Sequence, residues 1–191
     1  MFEFKCKDFY WLFVNKKREK SYAYNIWPSV LKDINWRNVW TILIKLMPVK
    51  KIAQFNYYKL YDKLPHNYNL FKWRIKDSPK CETCEKIQTM VHFLYDCKSV
   101  TPIWTKCNKI VNDIFKCNIL LNWNHAIFGY QLWQKHFEML NVFITLVSFA
   151  IYKGRLTCVS RIEKYLIQEL TLMKNIYKGK QHEINKFIES L

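Results

Sequence analysis

Glycine is nearly missing from this chain, with 3 in 191 residues beside 5 prolines. An all-β fold needs turn residues about every 8–12 positions, so that class is excluded. Acidic residues are also few. Asp and Glu total 15 against 31 Lys and Arg, for a net charge of +16. The aspartates (Asp8, Asp33, Asp62, Asp77, Asp96 and Asp113) are scattered, with no adjacent pair. Catalysis on nucleic acids usually needs clustered carboxylates to hold two metal ions. Neither a phosphate-cradling Gly-x4-Gly-Lys loop nor a Gly-x-Ser-x-Gly elbow occurs. The chain alone therefore reads as non-enzymatic. Long hydrophobic runs are missing too. The longest, Met139 to Tyr152, is broken by Asn141, Thr145 and Ser148. It is too short for a bilayer and predicts a buried core helix with no membrane partner. Lys5, Lys7 and Asp8 interrupt the start before any apolar segment develops, so no signal peptide is read.

What is present is apolar and basic. Half the residues are hydrophobic, enough for a real core in one large domain or two small ones. The positive excess points to a polyanionic partner, either nucleic acid or an acidic membrane surface, with an incidentally basic protein as the alternative.

The sharpest local pattern is Cys-x2-Cys-x7-His-x4-Cys, formed by Cys81, Cys84, His92 and Cys97. Three thiolates and an imidazole are the donor set of a closed tetrahedral structural zinc site, with no position left for a catalytic water. The two-residue spacer lets both thiols reach one ion from a tight turn. The stretch 89–96 reads as a short helix carrying His92. Positions five apart on a regular helix lie roughly 140° apart, so that helix is expected to fray before Cys97. The alternatives are four packed residues without metal, or a redox Cys-x2-Cys. The redox pair would open a helix after a buried strand, whereas 75–80 reads as a polar turn. Cys6, Cys107, Cys117 and Cys158 remain, among apolar neighbours. They predict small buried hydrophobes in a reducing, intracellular compartment.

Elsewhere the periodicity is helical. Trp36, Trp40, Leu43 and Met47 recur at helical spacing, with Asp33 as the expected N-cap. Pro48 opens a second helix that ends at Leu64-Pro65. A short segment spans Tyr68 to Trp73. A helix is predicted over Thr101 to Phe115, an ambiguous connector over Trp123 to Tyr130, and a central helix over Trp133 to Lys153. Leu156, Val159, Ile162, Leu166, Leu170, Met173 and Tyr177 make an amphipathic stripe, and 180–191 reads as a frayed end. The expected fold is mostly α, an irregular helical array around one small metal loop. Its parts are a partly helical segment 1–32, a helical zinc-binding region 33–104 with the loop at 80–98, and a helical tail 105–191.

Between Lys45 and Lys86 there are ten Lys or Arg and four acids, a local excess of 10 − 4 = +6. Phe71 to Lys76 alternates rings and cations just before the first thiol. Rings stack on unpaired bases while cations follow phosphates, which makes Lys72, Trp73, Arg74, Lys76 and Lys80 candidate nucleic-acid contacts. The alternative is that the rings are core and the lysines a solvated face. His66, His125, His136 and His182 lie in unrelated contexts and read as surface or capping residues.

Several segments in this order resemble one family. They are Ile34-Asn35-Trp36-Arg37-Asn38-Val39-Trp40, Pro48-Val49-Lys50-Lys51-Ile52, Lys63-Leu64-Pro65, Trp73-Arg74-Ile75, the ligand run, and Ile103-Trp104. Together they look like the reverse-transcriptase zinc-binding region near the C-terminus of LINE-type, non-LTR retrotransposon polyproteins. The resemblance covers about residues 34 to 104. Gln88-Thr89 stands where that pattern has Glu-Thr. Ala126-Ile127-Phe128-Gly129 and the apolar helix resemble the tail of such polyproteins more loosely. The resemblance implies one structural zinc on Cys81, Cys84, His92 and Cys97, and a non-catalytic module that grips RNA, and DNA in some settings, beside a reverse-transcriptase core in cytoplasm and nucleus. Three readings compete with it: a helical scaffold packing on a polymerase core, a retroelement relic without function, and an enzyme part completed only in a polyprotein.

Overall fold

The computed structural model describes residues 27, 34–45, 47–116, 118–131, 137–154 and 159–191. The chain divides into two units, Met1–Asp33 and Ile34–Leu191, and every described residue except Trp27 belongs to the second. The segment expected to be partly helical, 1–32, thus lies almost wholly outside the described residues. Helix α1, Trp36–Trp40, runs into a π-helical turn at Thr41–Lys45. It is followed by α2 (Lys50–Leu60), α3 (Asn67–Lys72), a second π-helical turn (His92–Asp96), α4 (Thr101–Phe115) and α5 (Trp123–Phe128). Then come α6 (Glu138–Lys153), α7 (Val159–Ile176), a 3-10 turn (Lys178–Lys180) and α8 (Gln181–Ser190). Among the described residues there is no strand, only an isolated antiparallel bridge between Lys80 and Ile87. The mostly α class is therefore as the composition requires.

Helix α6 is the central pillar, buried without interruption from Met139 to Ile151. Its polar residues tie down neighbours. Asn141 exchanges hydrogen bonds with Tyr130, accepting from its amide at 2.7 Å and donating to its carbonyl at 3.0 Å. Ser148 Oγ donates to the Ala126 carbonyl at 3.0 Å. Helix α7 packs on α6 through Ile162, Leu166, Leu170 and Met173, the predicted stripe. Helix α2 packs Phe55 edge-on against Phe149 at 5.3 Å. Helix α4 begins and ends where the periodicity put it, with Pro102 in its first turn, a position where the missing N–H costs nothing.

Three expectations change. Asn35 caps α1, accepting from the Asn38 amide at 3.2 Å. It is the better-placed short polar side chain, and Asp33 lies outside the described residues. The supposed connector after Trp123 is helix α5, closed by a capping box in which Asn122 and His125 satisfy each other's backbone. The supposed frayed end is helix α8, which buries Ile184 and Phe187 completely. The predicted central helix is described only from Phe137 onward, since 132–136 lie outside the described residues.

Glycine scarcity leaves a mark on helix ends. Left-handed positions after a helix usually take glycine. Here Asp62 (φ 50°), Arg74 (φ 58°) and Lys116 (φ 52°) hold them. The closing bonds are complete all the same. Lys63 N–H donates to Tyr58 O at 2.7 Å after α2, and Ile75 N–H to Leu70 O at 2.9 Å after α3. Gly129 is irreplaceable for a second reason besides its φ of 77°: a Cβ there would sit 2.7 Å from Ile42 Cγ2 and 2.9 Å from Asn141 Oδ1.

Lys59 is a cation in the core. It is fully buried, its Nζ donates to Ala126 O at 2.9 Å, and it lies 5.4 Å from the Phe55 ring centroid. Burial without a carboxylate drives its ammonium down to about 7. The unfolded chain then holds the extra proton between about pH 7 and 10, so this residue makes stability rise with pH across that window. Below pH 7 the whole burial cost is present. Lys59→Met should therefore stabilise the fold by about 1–3 kcal/mol at pH 6 and progressively less toward pH 10. Ser148 keeps the Ala126 carbonyl bonded in the variant. Urea unfolding at pH 6 and pH 9 checks this, and equal gains at both would contradict a buried charge.

Candidate metal centre and cationic surface

The four predicted ligands converge. One donor atom from each of Cys81, Cys84, His92 and Cys97 lies within 4.8 Å of every other, the only such group of three or more among the described residues. Cys81 Sγ is 3.7 Å from Cys97 Sγ, Cys84 Sγ is 3.7 Å from Cys97 Sγ, and Cys84 Sγ is 3.2 Å from His92 Nε2. A disulfide needs about 2.0 Å between sulfurs. These spacings are far longer, and short enough for all four to share one ion. Cys81, His92 and Cys97 are buried and Cys84 is half-buried.

Local sequence explains each placement. The first two thiols sit in a knuckle. Cys81 N–H donates to Lys86 O at 2.8 Å and Glu85 N–H to Cys81 O at 2.9 Å. Glu85 takes φ 57° to close the turn, and the Lys80–Ile87 bridge clamps its base. Thr89 caps the next segment, its Oγ1 accepting from the His92 amide at 3.3 Å. The phase problem between His92 and Cys97 is solved more directly than by fraying. Residues His92–Asp96 form a π-helical turn, and Cys97 N–H donates to His92 O at 3.0 Å. The i→i+5 bond widens the turn and brings Cys97 round toward His92. The helix does end there, because Cys97 is extended at φ −67°, ψ 136°. Trp104 Nε1 donates to the Leu94 carbonyl at 2.7 Å, tying the turn to α4.

The sulfurs differ electrostatically. Burial pushes the Cys81 thiol up, but backbone N–H groups of Thr83 and Cys84 and the His92 ring outweigh it, leaving it down at about 6. Burial raises Cys97, against the opposing hydrogen bond from Ser99 at 3.1 Å. The knuckle amides therefore favour a thiolate, the form that binds metals. Cys107 is the contrast. It is buried in α4, burial pushes its thiol up to about 12, and it packs as a small hydrophobe. Cys6, Cys117 and Cys158 lie outside the described residues.

Gln88 links this loop to α3. Its side-chain oxygen accepts from the Asn67 amide at 2.8 Å, and its carbonyl accepts from the Tyr68 amide at 3.3 Å. Buried Asn67 donates to the Lys80 carbonyl at 2.6 Å. His66 is buried, not a surface residue, with Nδ1 2.8 Å from Gln88 O and Nε2 2.9 Å from Asp62 Oδ1. His125 caps α5 as expected of a capping histidine, His182 is exposed, and His136 lies outside the described residues. The role of Gln88 was not legible beforehand, because nothing local connects residue 88 to the start of α3.

The cationic candidates divide in two. Lys72, Trp73, Arg74 and Lys80 are exposed, and the three cations enter no ion pair among the described residues. Lys76 is committed, donating to Glu82 at 2.7 Å and Asn67 at 3.1 Å. Two further cations of the basic stretch are spent internally. Lys59 is buried, and Lys51 shares buried Glu169 with Lys153 at 2.9 and 3.1 Å. A cavity of about 230 Å³ runs beside Cys81 and Cys97, lined in part by Asn67, Lys76, Phe93 and Ile162. Of its polar groups, Lys76 already bonds Asn67 and Glu82.

No family model, curated protein or solved structure matches this chain. No helix among the described residues is long and apolar enough to cross a membrane.

Proposed function

We propose that the unit Ile34–Leu191 is a zinc-ordered nucleic-acid-binding module, non-catalytic by itself, of the kind found beside reverse transcriptases of LINE-type retrotransposons. The observation that carries this reading is a four-ligand thiol–imidazole cluster set directly against an exposed strip of cations and rings. Three sulfurs and a nitrogen favour zinc among common ions. Zinc–sulfur bonds of about 2.3 Å in a tetrahedron put sulfurs about 3.8 Å apart, close to the two 3.7 Å spacings here. Bound there, zinc supplies structure and no open coordination position. Cys81, Cys84, His92 and Cys97 hold it, and the knuckle fixes Lys80 and the start of α3 around it. Gln88, at the one departure from the resembled pattern, still supplies the acceptor that α3 needs at its first amide.

Lys72, Arg74 and Lys80 are the phosphate contacts in this reading, while Lys76 orders the loop. RNA is the expected ligand, with DNA second. The test is a salt titration of zinc-loaded protein on RNA, repeated after chelation. Lys72→Ala and Arg74→Ala should each weaken binding and reduce the slope of log K against log salt by about 1. Unchanged slopes in both variants would remove them from the interface. Binding that survives chelation would separate the metal from the interface.

The competing scaffold reading rests on α7, where Leu172 and Ile176 stand exposed one turn apart. Tight, salt-insensitive docking of a polymerase core on that helix, without RNA binding, would favour it.

A further inference from the structure

We propose that Tyr68 and Phe71 form a stacking face for unpaired bases, so that the ligand of this surface is a single-stranded polynucleotide and not a duplex. This rests on the nucleic-acid reading above and adds to it the class of strand.

The exposed apolar groups are unevenly distributed. Among the described residues nine large apolar side chains are exposed, and five of them, Tyr68, Phe71, Trp73, Ile75 and Ile87, fall within the twenty residues around the start of the metal loop. Tyr68, Phe71 and Lys72 follow an i, i+3, i+4 pattern along α3, which places them on one side. The opposite positions, Asn67 and Asn69, are buried. The Tyr68 amide bonds to Gln88 O, so Ile87 lies beside the start of this face. A solvated helix would carry polar residues here. Instead the face offers two exposed rings, and Ile75 and Ile87, close by in the chain, are 67% and 55% exposed.

Its charge selects the partner. Lys72 Nζ lies 5.5 Å from the Tyr68 ring centroid, and the His66 ring lies parallel to Tyr68 at 6.5 Å, so a cation and a buried ring hold this exposed tyrosine in place. Arg74, Lys80 and Lys86 are exposed nearby in the chain against the exposed acids Asp77 and Glu85, and Glu82 is already paired with Lys76. A polyanion with flat apolar groups fits both features at once. In a duplex the bases are stacked on each other and only phosphates are offered, so the rings would gain nothing. In a single strand each base has a free face for an aromatic side chain, and its phosphates remain for the cations. Trp73, at the end of α3, adds a third exposed ring.

The test uses the zinc-loaded full chain and fluorescein-labelled oligonucleotides of one mixed sequence about 20 nucleotides long, as RNA and as DNA, single-stranded and annealed. Anisotropy titrations at several salt concentrations should show the single strand bound about tenfold or more tighter than its duplex. Tyr68→Leu and Phe71→Leu keep apolar bulk and remove the ring. Each should lose about fivefold or more for the single strand, with duplex affinity, salt slope and thermal midpoint unchanged. Equal or tighter duplex binding, or leucine variants with full affinity, would overturn the stacking face and leave the nucleic-acid reading standing. No salt-dependent binding to any of the four ligands would overturn both and leave this face to a protein partner.

Discussion

Cys84→Ser should release the metal and disorder the loop from Lys80 to Lys98. With zinc bound as proposed, this is the largest single-residue effect expected in the molecule. Structural zinc contributes roughly 10–16 kcal/mol of apparent binding energy in small domains at neutral pH. The first half of the loop, residues 80–89, has one isolated bridge and mostly exposed side chains, while Met90, Phe93 and Leu94 bury the second half. Cys84 is the least buried of the four ligands, so serine fits without steric cost and the loss is attributable to coordination. The consequences should spread along known bonds. Gln88 and Lys80 carry the loop's links to α3, and Trp104 carries its link to α4. The α6–α7 pair meets the ligand-bearing turn through Phe93, edge-on to Tyr152 at 6.4 Å, and its own packed helices should keep their helicity. Metal content by mass spectrometry and thermal unfolding by circular dichroism measure this, with chelation of the unmutated protein as the parallel experiment. A variant with one zinc per chain and an unchanged midpoint would show that Cys84 is not a ligand.

Phe187→Ala should destabilise the fold by about 3–5 kcal/mol, the usual cost of deleting a fully buried aromatic ring. Phe187 is completely buried in α8. It stacks on Phe143 of α6 with ring centroids 4.2 Å apart and planes 12° apart, and meets Phe115 of α4 at 6.2 Å. One ring near the C-terminus thus joins α4, α6 and α8, and its loss leaves a cavity that three helices cannot all close. Glu189→Ala, on the exposed side of α8, is the control and should stay within about 0.5 kcal/mol. Urea denaturation midpoints compare the two. A loss below 1 kcal/mol for Phe187→Ala would mean that α8 is frayed in solution.

The convergence of the four cluster residues was legible because their chemistry is local. Cys, Cys, His and Cys at those spacings have few other uses, and four atoms within 4.8 Å follow from that order. Helix α4 was legible for the same reason, since its apolar period and first-turn proline lie within fifteen consecutive residues. Helix α8 was not. Gln181 to Ser190 has only Ile184, Phe187 and Ile188 to offer, and three apolar residues at the end of a chain stabilise nothing alone. Their stability comes from Phe143 and Phe115, more than forty positions away. The same holds for α5, whose Ala126, Ile127 and Phe128 become core only against neighbouring helices.

The basic stretch divides most clearly between the two levels. Sequence alone determined that cations are in excess around the metal loop, because charge is a sum over residues. Only tertiary structure decided which remain available. It buried Lys59 under Ala126, paired Lys51 with Glu169 and Lys76 with Glu82, and left Lys72, Arg74 and Lys80 in solvent. A lysine's freedom depends on which acceptors the fold brings within about 3 Å of its nitrogen, and those acceptors come from segments that composition and spacing cannot join. The four-residue cluster needed only neighbours in sequence, whereas the surface beside it needed the whole helical array.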